Sequence, residues 1–251
     1  MAVPIWTRRN GRAYRGTMPR NREKVALVTG AGRGIGFATA RAFIDQGYAV
    51  VIAERVAARG RSAARKLRDA GGDAAFVRVD AAEHGAGERA VRTALRKFGA
   101  LDCLVNNAGV VEVGRLEQLS RRAIENIVRV NLVGTLFTSR AALPYMRRRR
   151  RGVIINVSSL LGKEGEAEFV TYCATKFGVI GMTEALADEL RGTGVRTYAV
   201  CPTVVDTPLA RKAGVTDDPD MIPPEHVARV IVALATGRRR RPSGAAVDVT
   251  T

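Results

Sequence analysis

Short apolar runs alternate with longer amphipathic stretches through most of the chain. Runs at 25–29, 49–53, 74–79, 101–106, 153–157, 196–201 and 246–249 predict strands. They are continuous rather than alternating, as in strands covered on both faces. Helical spacing between them predicts helices near 35–46, 57–70, 88–98, 121–146, 170–191 and 225–235. Buried strands alternating with helices imply an α/β domain on a parallel sheet with right-handed crossovers. One domain over 23–251 is expected, without internal repeats. The segment 207–223, acidic at Asp217, Asp218 and Asp220, predicts a short substrate lid.

At 251 residues and 46% hydrophobic, the chain can build a sizeable core. It has no apolar run long enough for a membrane span and no apolar leader at its basic start. Three scattered cysteines and two histidines fit neither a zinc site nor a disulfide framework, so a reducing cytoplasm is expected.

The net charge of +17 is concentrated. Residues 1–22, 147–151 and 238–241 hold fifteen arginines and no acid, so the rest of the chain is nearly balanced. Residues 1–22 read as a disordered extension, with Met18 a candidate start. Arginines 147–151 follow a helical pattern, where cations suit the negative end of the dipole. No aromatics interleave these runs, which argues against a nucleic-acid groove.

The first predicted strand ends in Thr29-Gly30-Ala31-Gly32-Arg33-Gly34-Ile35-Gly36 and runs into a helix. A glycine turn there lets backbone N–H groups approach a pyrophosphate, whose charge suits the helix N-terminus. The second strand ends at Ala53-Glu54-Arg55. Glu54 can bind ribose hydroxyls and repel a 2′-phosphate, favouring NAD; Arg33 and Arg55 could pair with that phosphate, which admits NADP. The plainer reading of Glu54 is a solvated acid paired with Arg55.

Tyr172 and Lys176 lie at i and i+4 on one predicted helix face. A nearby ammonium favours the phenolate, so the pair is expected to lower the tyrosine towards working pH, where it can exchange a proton. Such a pair carries little weight alone.

With 29–36, Asn106-Asn107-Ala108-Gly109, Asn131, Ser158-Ser159, Tyr172-x-x-x-Lys176 and 202–207 in this order, the chain resembles the short-chain dehydrogenase/reductase family from Lys24 to about Val249. The resemblance implies a doubly wound, seven-stranded parallel sheet assembled as a tetramer or dimer. It implies a nicotinamide-dependent oxidoreductase with Tyr172 as general acid/base. Ser159, thirteen residues earlier, would hydrogen-bond the substrate oxygen and the tyrosine. Lys176 would hold the nicotinamide ribose, and Asn131 a water relaying protons from Lys176. Gly30, Arg33, Gly34, Ile35, Gly36, Glu54, Arg55, Asp80, Ala81, Asn107, Ala108, Gly109, Pro202, Val205 and Thr207 would complete the cofactor site. A mid-helix asparagine could instead be a packing feature, and Asp80 a turn starter.

Thr203 follows Pro202 where the family has glycine, and Val247-Asp248-Val249 replaces its usual Asp-Gly-Gly ending. The loops at 110–113 and 163–168 are expected to line the substrate pocket, with Glu164, Glu166 and Glu168 on its rim. The leading reading is a secondary-alcohol dehydrogenase or carbonyl reductase. Alternatives are an NADPH-dependent 3-oxoacyl-thioester reductase, whose acidic carrier protein the arginines could attract, and a non-catalytic cofactor-binding regulator.

Overall fold

A computed structural model describes residues 24–216 and 218–250. The predicted basic extension, Met18 and Asp217 lie outside the described residues.

Seven parallel strands form one sheet: β1 (Lys24–Thr29), β2 (Tyr48–Glu54), β3 (Ala74–Arg78), β4 (Cys103–Asn106), β5 (Gly152–Val157), β6 (Val195–Pro202) and β7 (Ala246–Val249). Their spatial order is β3-β2-β1-β4-β5-β6-β7. The helices are α1 (Gly34–Ile44), α2 (Ala57–Asp69), α3 (Ala86–Phe98), α4 (Arg121–Val128), α5 (Gly134–Arg148), α6 (Val170–Glu189), α7 (Pro208–Lys212) and α8 (Pro224–Thr236). This is a Rossmann-like α/β domain.

The continuous apolar runs arise because each strand feeds two cores. Ala26, Val28, Val50, Ile52 and Ile155 pack on one face with Phe43 of α1 and Ile231 and Leu234 of α8. Val25, Leu27, Val51, Leu104 and Ile154 pack on the other with Ala90 and Ala94 of α3 and Ala142 and Met146 of α5. Burial on both faces removes the selection for polar residues at alternate positions. At Gly87 a Cβ would come within 2.7 Å of Thr138 Cα, so α3 sits close against α5.

The predicted single helix over 121–146 is interrupted. Residues Arg129–Val133 form a π-helical turn between α4 and α5, with Asn131 in its middle. Such turns are rare and concentrate at functional sites. No helix among the described residues is long and apolar enough to cross a membrane.

The arginines of 147–151 do not simply cap their own helix. Arg147 Nη2 donates to the Glu189 carbonyl at the end of α6, Arg150 Nη2 to that of Gly192, and Arg151 pairs with Asp102 at 3.2 Å.

Candidate active site

The strand order reverses between β1 and β4, and a crevice opens beyond the carboxyl ends of such a switch point. Here the β1–β4 ladder stops at Val28 and Val105. Side chains take over from the backbone. Thr29 Oγ1 accepts the N–H groups of Asn107 and Ala108, both at 3.0 Å, and Asn107 Nδ2 donates to the Thr29 carbonyl at 2.9 Å. Gly30 follows with φ of +63°, a conformation a β-carbon disfavours, and a Cβ there would lie 2.9 Å from Ala108 Cα. The turn delivers the chain into α1, whose first turn has no side-chain cap. An uncapped helix N-terminus beside a glycine turn fits a dinucleotide pyrophosphate.

Gly30, Arg33, Gly34, Ile35, Glu54, Arg55, Asp80, Ala81, Asn107, Ala108, Gly109 and Thr207 line one cleft there. Gly36 packs beneath it, where a Cβ would meet Asn107 Nδ2 and the Gly30 carbonyl at 2.5 Å. Pro202 ends β6. Val205 is buried in a bridge to Ile222 instead of facing the cleft.

Glu54 does not pair with Arg55. Its carboxylate is 7% exposed and accepts the Gly32 N–H at Oε2 (3.2 Å) and the Val56 N–H at Oε1 (3.0 Å), with Arg59 Nη2 at 3.3 Å from Oε1. Arg55 turns to Asp80 at 3.8 Å. Asp80 also accepts the Ala82 N–H, so it both starts a turn and faces the cleft.

Gly109, which lines the cleft, lies against Lys176 and Asn131: a Cβ there would be 3.9 Å from Lys176 Nζ and 3.6 Å from Asn131 Oδ1. Lys176 is buried in α6, donates from Nζ to the Val157 carbonyl at 2.9 Å, and stands 5.4 Å from the Tyr172 ring centroid. The two serines after β5 divide. Ser158 donates its hydroxyl to the Lys176 carbonyl at 2.9 Å, whereas Ser159 Oγ accepts the Leu161 N–H at 3.2 Å and lies where it favours an ionised Tyr172.

Without the nicotinamide ring, whose positive charge also enters the expected lowering, enclosure dominates the tyrosine. Burial pushes it up to about 12, and Ser159 opposes this. Burial also pushes Lys176 down to about 8, with Cys201 acting in the other direction. Desolvation disfavours the charged form of each.

Asn131 is 1% exposed and engaged with protein. Its Oδ1 accepts the Val110 N–H at 2.9 Å, and its Nδ2 donates to the Val110 carbonyl at 3.0 Å and Thr175 Oγ1 at 3.2 Å. It staples the loop after β4 to the helix bearing Tyr172.

Around the expected substrate pocket, the Gly114 N–H donates to the Glu168 carbonyl at 3.0 Å, joining the two predicted loops. Glu168 has φ of +67°, a strained conformation for a residue with a side chain. In the segment 207–223, Thr207 caps α7 by accepting the Ala210 N–H, and Lys212 donates to the Val111 carbonyl and pairs with Glu112. Thr203 keeps a negative φ, and its N–H donates to the Val249 carbonyl at 3.0 Å, so the residue replacing glycine extends the edge of the sheet.

The sequence places Thr29 and Gly32 in the glycine turn without revealing their partners, and gives no sign of the role of Arg59. The spacing Glu54–Arg59 was visible, but only the turn into α2 brings the guanidinium back to the carboxylate.

The sequence profile of the family described as short chain dehydrogenase matches residues 24–218. The chain is 38% identical over 226 residues to cis-4-hydroxycyclohexanecarboxylate dehydrogenase of Sinomonas cyclohexanicum, covering 85% of this chain and 90% of that protein. It is 39% identical over 198 residues to L-fucose dehydrogenase of Bos taurus (78% and 72% covered). It is 38% identical over 186 residues to 3-alpha-(or 20-beta)-hydroxysteroid dehydrogenase of Mycobacterium tuberculosis (74% and 70% covered). The chain therefore belongs to the short-chain dehydrogenase family, as an NAD(P)-dependent oxidoreductase interconverting secondary alcohols and ketones.

Proposed function

We propose that Tyr172 is the general acid/base of this reaction and that the substrate is a secondary alcohol or ketone carried on a ring. The observation that carries the chemistry is the convergence of Ser159, Tyr172 and Lys176 beside Gly109. Ring substrates are supported by the hydroxycyclohexanecarboxylate, fucose and hydroxysteroid of the three relatives' names.

In the reducing direction the protonated Tyr172 gives its proton to the carbonyl oxygen while Ser159 donates a hydrogen bond to it. Lys176, anchored on Val157, retains donors for the nicotinamide ribose and for the tyrosine oxygen. Asn131 fixes the Val110 backbone beside Lys176, and a water held there would return protons from solvent. The glycine turn, Arg33, Glu54, Arg55, Asp80 and the 107–109 segment hold the dinucleotide, which when bound supplies or accepts the hydride. Glu54 favours NAD over NADP. The segment 207–223 acts as the substrate lid, latched by Lys212. Exposed Leu136 and Phe137 on α5, with Val170 and Phe177 on α6, form the surface through which copies assemble. Three buried free thiols suit a reducing cytoplasm.

The test is turnover of a panel of ring ketones with NADH and NADPH, and of the matching alcohols with the oxidised cofactors. Cofactor binding without turnover of any of them would favour the regulatory alternative.

A further inference from the structure

A carboxylate offers about four lone-pair sites for hydrogen bonds. In Glu54 the Gly32 and Val56 N–H groups take two of them, and Arg59 forms an ion pair at 3.3 Å. The packing is close, since a Cβ on Gly32 would lie 2.7 Å from Glu54 Oε2. The acid therefore braces the glycine turn. Its charge is also matched. Arg59, in the first turn of α2, pairs with it, and the Arg59 Nε is enclosed without a hydrogen-bond partner.

The charged residues lining the cleft, among those described, are Arg33, Arg55 and Arg59 against Glu54 and Asp80. Arg55 is matched by Asp80 and Arg59 by Glu54, which leaves Arg33 in excess. Arg33 is held below its ordinary value by partial burial and then by repulsion from Arg59, with Glu54 opposing. Arg33 and Arg59 both line this cleft and repel each other across it, and a dianion bound there would relieve that repulsion.

We propose that Arg59 is a specificity-determining residue: by neutralising Glu54 and presenting its guanidinium to the cleft that Arg33 also lines, it lets the cleft take the 2′-phosphorylated dinucleotide as well as the unphosphorylated one. Glu54 alone would exclude the phosphate by charge; Arg59 reduces that exclusion to a modest preference. This rests on the cofactor reading above.

The experiment is calorimetric titration of the full chain with NADH and NADPH, for the wild type, Arg59→Met, Arg59→Lys and Glu54→Gln. The wild type is expected to bind both, with Kd values within about tenfold of each other. Arg59→Met is expected to weaken NADPH at least about tenfold and NADH by less than about threefold, and Arg59→Lys to restore most of the loss. Equal weakening of both nucleotides, or an unchanged ratio, overturns the proposal. So does a wild type that binds NADPH more than about a hundredfold weaker than NADH. Should Arg59→Met not fold, Glu54→Gln decides: NADPH tightening at least about fivefold relative to NADH supports the proposal, and an unchanged ratio overturns it. A wild type that binds neither nucleotide overturns the cofactor reading itself.

Discussion

The Ser158 hydroxyl donates to the main-chain carbonyl of Lys176 at 2.9 Å, so one serine anchors α6 while its neighbour, Ser159, is the one proposed to hydrogen-bond the substrate oxygen. The two substitutions should therefore separate. Ser159→Ala is expected to lower kcat about 100- to 1000-fold with little change in melting temperature. Ser158→Ala should leave a buried carbonyl without its donor, costing about 1–3 kcal/mol. Steady-state rates and thermal denaturation of both variants check this; the reverse pattern would exchange their roles.

Tyr172 pushed up to about 12 is protonated at neutral pH, the form that donates to a carbonyl oxygen. Oxidation of an alcohol needs the phenolate, whose fraction rises about tenfold per pH unit below the pKa. The kcat/KM for oxidation should therefore climb with pH while that for reduction stays level. The climb should flatten near pH 8, where Lys176 loses the charge that stabilises the phenolate. Tyr172→Phe should remove both activities by at least about 100-fold with NADH affinity within about threefold of wild type. A pH-independent oxidation rate would take Tyr172 out of this role.

Asn107 bridges the gap where β1 and β4 part, donating to the Thr29 and Gly30 carbonyls at 2.9 and 3.3 Å. Asn107→Ala should destabilise the fold by about 1–3 kcal/mol and weaken dinucleotide binding at least about tenfold. Chemical denaturation and nucleotide titration measure the two effects separately. Unchanged binding would mean the crevice does not depend on this staple.

Lys212 ties α7 to the loop after β4 through Val111 and Glu112. Exposed ion pairs contribute about 0–1 kcal/mol, so Lys212→Met should barely alter melting. The lid reading instead predicts a raised KM for the carbonyl substrate with unchanged NADH affinity. An unchanged KM would remove the latch.

Much of the fold was legible because its signals are local. The seven apolar runs, the glycine turn before α1 and the Tyr172–Lys176 spacing depend on neighbours within a few positions. The π-turn at Arg129–Val133 was not legible, since the apolar spacing of 121–146 continues through it. Nor was the role of Thr203, which follows from the Val249 carbonyl beside it in the sheet.

The sequence by itself determined the alternation of strands and helices, the glycine turn before α1, and that a helix presents Tyr172 and Lys176 on one face. Tertiary structure decided their partners. Glu54 meets Arg59 rather than Arg55, and Ser158 rather than Ser159 is tied to Lys176, because side-chain direction is set by contacts made after the chain has folded back. Tyr172 is pushed up by burial, because desolvation belongs to the whole enclosure and is not legible from the residue one turn away.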